Sequence, residues 1–271
     1  MHKDTFIQQL VHLLPRIRAQ KPLLHHITNQ VVMNDTANMT LALGALPVMA
    51  HASEEVEEMV SQAGALVLNI GTLVPAQIEA MLRAGKRANA LDIPIILDPV
   101  GAGATRLRTE SALRLLSELK ITVLRGNAAE IGTLIGVESE TRGVESISVA
   151  VERPVLVQQA ARMFGCTVAI TGAQDVISNG ERLATVGNGH PLLASITGSG
   201  CMATTVIGAF LAVERDAWQA AIAGLLVMGV AGEQAASTAA GPGTFRAHLF
   251  DAVAALEPEA LLQAQKVSFA S

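Results

Sequence analysis

Residues 121–130 read Ile-Thr-Val-Leu-Arg-Gly-Asn-Ala-Ala-Glu: a short β-rich apolar run, a polar turn, then the start of a helical pattern. Three further runs follow the same order. Residues 65–70 lead into Gly71-Thr72, 93–97 into Asp98-Pro99-Val100-Gly101, and 167–170 into Thr171-Gly172. Helical patterns stand between them at 75–89, 111–119, 128–135 and 154–164. Strands that alternate with helices imply βαβ units, and those build a mostly parallel sheet covered on both faces. The expected class is α/β.

Around this centre, residues 176–178 and 182–186 flank Asn179-Gly180, a strong hairpin signal. The last third reads as helices over 200–213, 218–239 and 247–256. Residues 136–154 read as a loop, with Glu138, Glu140, Arg142 and Gly143 close together. Gly241-Pro242-Gly243-Thr244-Phe245 reads as a tight loop between helices, either structural or a lid over a base. No linker or repeat divides the chain, so residues 1–271 are expected to form one domain.

Half of the 271 residues are apolar but only 3% are aromatic, so the core must be packed from aliphatic side chains. A net charge of −5 and scattered Lys and Arg argue against a general nucleic-acid grip. The densest basic cluster, Arg83, Lys86 and Arg87, fits a solvated helix face. Mean hydropathy is +0.40, yet the uncharged stretch 217–232 is short of the roughly 20 residues a membrane span needs. The longer run 186–213 is broken by Pro191, His190 and several small polar residues. The N-terminus carries Asp4 and Gln8 and lacks a signal peptide's apolar region. Cys166 and Cys201 are too few for a disulfide framework and fit a reducing cytoplasm. Neither a membrane nor a nucleic-acid partner is expected.

In an open parallel sheet, ligands bind beyond the carboxyl ends of the strands. Those ends carry Asn69, Asp98, Arg125, Asn127, Glu130 and Thr171. Singly, such residues are ordinary turn and cap formers. Together, Arg125, Asn127 and Glu130 suit phosphate and Mg²⁺. A sharper feature is Ile196-Thr197-Gly198-Ser199-Gly200-Cys201, ahead of an apolar helix. Glycines there expose backbone N–H groups, which with the helix dipole make an anion site. It is neither G-x-x-x-x-G-K-[ST] nor G-x-G-x-x-G. Cys201, in the first helical turn, is placed where the dipole lowers a thiol's pKa; Cys166 looks structural. His25 and His26, ahead of Thr28-Asn29, with Asn34 and Asn38 beyond, read as a wall against a polar, uncharged ligand. The scattered histidines make no zinc site.

These motifs carry a resemblance. Ile27-Thr28-Asn29, Ala37-Asn38, 44–49, 69–72, 97–100, 125–130, Thr171-Gly172, 197–201 and 241–243 resemble the hydroxyethylthiazole kinase family, in that family's order along nearly the whole chain. The pairing of R-G-N-x-x-E with a G-[ST]-G-C turn is the specific part. The resemblance implies a ribokinase-like three-layer α/β/α fold. It implies phosphorylation of the hydroxyl of 4-methyl-5-(2-hydroxyethyl)thiazole by Mg-ATP, in thiamine synthesis or salvage. Met49, Gly198 and Asn29 would contact the thiazole, and Arg125 and Thr171 would hold ATP. Asn127 and Glu130, with Asp98, would organise Mg²⁺. Gly198, Ser199, Gly200 and Cys201 would face the transferred group. The family is homotrimeric with sites at subunit boundaries, and the same is expected here. Related kinases usually carry an Asp as base where this chain has Cys201, so Cys201 either acts as base or only positions the hydroxyl. The alternatives are a hydroxymethylpyrimidine-type kinase of the same fold, a nucleotide-dependent hydro-lyase, which the Cys at 201 argues against, or a thiazole or nucleotide sensor without turnover.

Overall fold

A sheet buried on both faces needs strands that are apolar at every position, each face taking alternate residues. The computed structural model, which describes residues 3–137, 139–142, 145–149 and 151–270, has this arrangement. The strands are β1 Leu23–Ile27, β2 Leu46–Val48, β3 Ala65–Asn69, β4 Ile95–Asp98, β5 Val123–Gly126, β6 Ser139–Arg142, β7 Glu145–Val149, β8 Thr167–Ile170, β9 Asp175–Ser178, β10 Leu183–Val186 and β11 Val267–Phe269. All but β6 and β7 form one nine-stranded sheet, ordered β11-β10-β9-β8-β5-β4-β3-β1-β2. From β2 to β8 the strands are parallel. The remaining three continue antiparallel.

Alternation sorts the core into two layers. Ala65, Val67, Ile96, Val123 and Ala169 face one cluster, with helices Met33–Leu43, Ser199–Leu211 and Ala217–Thr238. Leu66, Leu68, Ile95, Leu97, Leu124 and Val168 face the other, with helices Pro75–Ala90, Arg106–Glu118 and Arg153–Phe164. The expected three-layer α/β/α class is what the chain adopts. Helix Ala217–Thr238 is long and apolar enough to cross a membrane, but 78% of its apolar window is buried, so it serves as a core helix.

Several local expectations are corrected. His25 and His26 form no ligand wall: they lie in β1 with both side chains wholly buried. Part of the expected loop at 136–154 is a hairpin of β6 and β7; Glu138 and Gly143 lie outside the described residues. Residues 241–245 are not a loop. Helix Pro242–Ala255 begins there, with Gly241 capping it and Pro242 in its first turn, where a missing N–H costs nothing. Helix Arg106–Glu118 starts well before residue 111 because the Thr105 side chain accepts from the Arg108 N–H.

Candidate active site

The chain leaves β1 for β2 on one side, then crosses back to place β3 on β1's other side. Helix Met33–Leu43, between β1 and β2, packs on one face, and helix Pro75–Ala90, after β3, on the opposite face. The segments after β1 and β3 therefore leave toward opposite faces at the carboxyl edge, a topological switch point of the kind where ligands bind. They are tied together there by Gln30 N–H to Thr72 Oγ1 at 2.9 Å and Gln77 Nε2 to the Thr28 carbonyl at 2.8 Å. The start of helix Ser199–Leu211 reaches the same edge, with Cys201 Sγ 3.2 Å from Asn69 Nδ2.

One hydrogen-bonded network runs along this edge. Asn29 Nδ2 donates to Asn69 Oδ1 at 2.8 Å. Asn69 Nδ2 donates to Asp98 Oδ2 at 3.0 Å and approaches Cys201 Sγ at 3.2 Å. Thr204 Oγ1 donates to the same Asp98 oxygen at 2.8 Å. Thr204 lies one helical turn beyond Gly200; that spacing is the signal by which sequence reading could have found it. Asp98 is fully buried, and its Oδ1 has no partner. Burial pushes its carboxyl pKa up, against the pull of Arg125 and Thr204.

Arg125, at the end of β5, spans the network. One guanidinium nitrogen donates to Thr171 Oγ1. Another lies 3.5 Å from Asp98 Oδ2. A Cβ on Gly200 would stand 2.6 Å from that same Nη1, so the absent side chain is what lets the guanidinium lie on the first turn of helix Ser199–Leu211. A cation at a helix N-terminus is unfavourable by itself. Asp98 offsets it from behind, and an anion in front would meet both positive groups. A cavity of about 480 Å³ opens there, with Arg125, Thr171, Ser199 and Gly200 at its polar end and Leu225 and Met228 on its apolar wall. That size and mixture suit a phosphorylated small molecule. A wider depression of about 1040 Å³, lined by Lys120, Gly165 and Ala212 among others, lies at the sheet's opposite edge, away from all these groups. The convergence of polar side chains, not volume, marks the first as the candidate site.

Asn127 and Glu130 sit at the start of helix Ala128–Leu134 as a reciprocal capping box. Glu130 Oε2 accepts from the Asn127 N–H and Oε1 from the Gly101 N–H, each at 2.8 Å. The carboxylate thus pins the loop after β4 to the loop after β5. Burial, then the nearby Asp98 charge, push its pKa up to about 7. Asp175, unremarked in the sequence reading, also lines the cavity, and burial lifts its carboxyl to about 6.

At the β1 end of the network, Asn29 Oδ1 accepts from the N–H groups of Val31 and Val32, and its Nδ2 reaches Cys201 Sγ at 3.6 Å. Gly198 caps the helix at φ 88°, the left-handed region that favours glycine. A Cβ there would lie 2.5 Å from Val32 Cγ1. Asn29, Gly198 and Cys201 are therefore brought together. Met49 is half-buried just past β2 at the same sheet edge and does not line the cavity beside Arg125.

The expectation for the Cys201 thiol is reversed. Burial first, then the Asp98 charge, push it up to about 12, against the pull of Arg125, Asn69 and Asn29. At neutral pH it is a thiol, so it cannot take a proton as a base. Its iodoacetamide alkylation at pH 7.5 should run roughly 100-fold or more slower than that of a free cysteine near pKa 8.5. The kcat/KM–pH profile of Cys201→Ser should overlay the parent's between pH 6 and 9. A thiol titrating in that window, by either measurement, would overturn the assignment.

The α/β/α sandwich, with a mostly parallel sheet and a glycine turn at its carboxyl edge, is of the ribokinase-like class. A ribokinase-like superfamily protein from Enterococcus faecalis V583 shares the fold at TM-score 0.65 and 13% identity, covering 90% of this chain and 93% of that one. The hydroxyethylthiazole kinase family model matches residues 14–259, and the chain belongs to that family. It is 54% identical over 264 residues to the hydroxyethylthiazole kinase of Roseiflexus sp. (strain RS-1), covering 97% of this chain and 98% of the relative. The structure of a hydroxyethylthiazole kinase from Pyrococcus horikoshii OT3 superposes at TM-score 0.90 with 45% identity, covering 97% and 99% of the two chains.

Proposed function

We propose that this chain, acting as one kinase domain, transfers the γ-phosphoryl group of ATP to the hydroxyl of 4-methyl-5-(2-hydroxyethyl)thiazole, as a step of thiamine synthesis or salvage. The observation that carries the reading is Arg125 laid across the glycine start of helix Ser199–Leu211, in a member of the hydroxyethylthiazole kinase family. The triphosphate occupies the polar end of the cavity and the base its apolar wall. Arg125 and Thr171 hold phosphate oxygens. The N–H groups of Ser199, Gly200 and Cys201 face the transferred group, where charge spreads over its oxygens. As the acceptor oxygen bonds to the γ-phosphorus, the bridging P–O bond to ADP breaks, and the hydroxyl proton leaves to a phosphate oxygen or solvent. Such a transition state is loose, so positioning and charge neutralisation outweigh base strength. A neutral Cys201 thiol that only orients the hydroxyl is compatible with it.

Magnesium, when bound, neutralises phosphate oxygens. The chain fits an ion that arrives with the nucleotide and keeps several waters. Among the described residues no group of three or more His, Cys, Asp or Glu is gathered for a metal. Asp98 offers a buried, unpartnered oxygen beside Arg125, and Glu130 a carboxylate held by two backbone N–H groups. Asn127 shapes this corner through its cap.

Met49, Asn29 and Gly198 form the acceptor side, with a soft thioether suited to a sulfur heterocycle. We place the working enzyme in the cytoplasm as a homotrimer. In its support, Val31, Leu41, Leu46 and Val74 are exposed apolar residues in the segments around β1, β2 and the loop after β3, close to where Met49 and Asn29 lie. A neighbouring subunit there would cover them and close the acceptor pocket.

The test is coupled ADP release from Mg-ATP with hydroxyethylthiazole, with hydroxymethylpyrimidine and with no acceptor. Turnover with the thiazole alone is expected. Turnover with the pyrimidine alone replaces the acceptor but keeps the phosphate site, and turnover with neither removes the kinase reading.

A further inference from the structure

Parallel pairing between β1 and β2 runs only from Leu23–Leu46 to His25–Val48. The next two carbonyls, of Met49 and Ala50, are met by imidazoles. His25 Nε2 lies 2.8 Å from the Ala50 oxygen, and His51 Nδ1 lies 3.2 Å from the Met49 oxygen. The other nitrogen of His51, Nε2, is 3.1 Å from the Thr28 amide nitrogen and 3.2 Å from the Thr28 carbonyl oxygen. Of the two neutral tautomers, the one with the hydrogen on Nδ1 serves both the Met49 carbonyl, which only accepts, and the Thr28 N–H, which only donates. In the neutral ring Nε2 then accepts from the Thr28 N–H. The Thr28 carbonyl is already served by Gln77 Nε2 at 2.8 Å. One half-exposed ring therefore ties the residue after β2 to the turn after β1.

We propose that His51 is a positioning residue for the acceptor: its imidazole fixes Met49 against Thr28–Asn29 and so sets the wall on which a neutral heteroaromatic alcohol packs. This rests on Met49 and Asn29 being acceptor contacts, as proposed above. His51 does not line the nucleotide cavity, and Arg125 and Thr171 come from strands on the far side of β3 and β4. Its effect is therefore selective for the acceptor.

The test measures KM for the thiazole and for ATP, with kcat, in His51→Ala, His51→Asn, His51→Gln and Met49→Ala. His51→Ala raises the thiazole KM about tenfold, the size of one or two lost hydrogen bonds, and leaves ATP KM and kcat within twofold. His51→Asn, whose amide nitrogen falls near the Nδ1 position, recovers most of that loss. If the alanine variant fails to fold, His51→Gln decides: it can still accept from Thr28 but leaves the Met49 carbonyl, and an unchanged thiazole KM overturns the proposal. A parallel rise in both KM values, or no rescue by Asn, reduces His51 to a structural residue and also overturns it. Met49→Ala reports separately on the contact. A neutral Met49→Ala beside a selective His51→Ala effect refutes Met49 as a contact and leaves His51 anchoring Thr28–Asn29. A strong Met49→Ala effect beside a neutral His51→Ala keeps the contact and refutes the positioning.

Discussion

Arg125→Met should lower kcat/KM for ATP by about three orders of magnitude, the range expected when a guanidinium that neutralises a transferred phosphoryl group is lost. The side chain has three duties at once: it donates to Thr171, pairs with Asp98, and lies on the helix start exposed by Gly200. Arg125→Lys should restore little of the activity. A single ammonium cannot span Thr171 and Asp98 as the planar fork does. The same loss leaves Asp98 buried without its cation, which costs about 3–5 kcal/mol if the carboxylate stays ionised. Burial already raises the Asp98 pKa against the pull of Arg125, so losing the arginine raises it further. Adding Asp98→Asn to Arg125→Met should thus recover thermal stability by calorimetry while leaving the enzyme inactive. Kinetics within threefold of the parent for Arg125→Met would remove the arginine from the phosphate site.

Gly198→Ala should cost about 100-fold in kcat/KM toward both substrates. Two penalties combine at this residue. A left-handed conformation costs an L-residue roughly 1–2 kcal/mol, and the new methyl group would meet Val32 Cγ1 at 2.5 Å. Relieving either moves the turn, and with it the N–H groups proposed to receive the phosphoryl charge; displacing such donors costs about 10²–10³-fold. Val32→Ala in the same chain removes the clash but not the backbone strain, so the double variant should regain about tenfold. Retention of more than a third of kcat/KM by the single variant would show that the turn tolerates a side chain and that its backbone is not the phosphoryl receiver.

The alternating runs at β3, β4, β5 and β8 were legible because a sheet buried on both faces demands continuous apolar strands, and period-two burial follows from the pleat. The polar residues closing each run, from Asn69 to Thr171, were legible because parallel strands bring all carboxyl ends to one edge. The Gly-Ser-Gly-Cys turn was legible because only a helix start needs glycines in that order before an apolar stretch. β1 escaped notice because Leu-Leu-His-His-Ile hides two wholly buried histidines behind a polar spelling. β2 escaped because three residues are too few to show a period.

The sequence by itself determined the fold class and the sheet edge at which Asn69, Asp98, Arg125 and Thr171 gather, since those follow from local periodicity and the chirality of βαβ connections. Tertiary structure alone decided how those residues act. Asn69 and Thr204 converge on Asp98 from a strand and a helix far apart in the chain. Cys201, which local reasoning makes acidic, is held as a thiol because burial and the Asp98 charge raise its pKa. Desolvation and long-range contacts depend on what packs around a group, and no window of neighbouring residues contains that information.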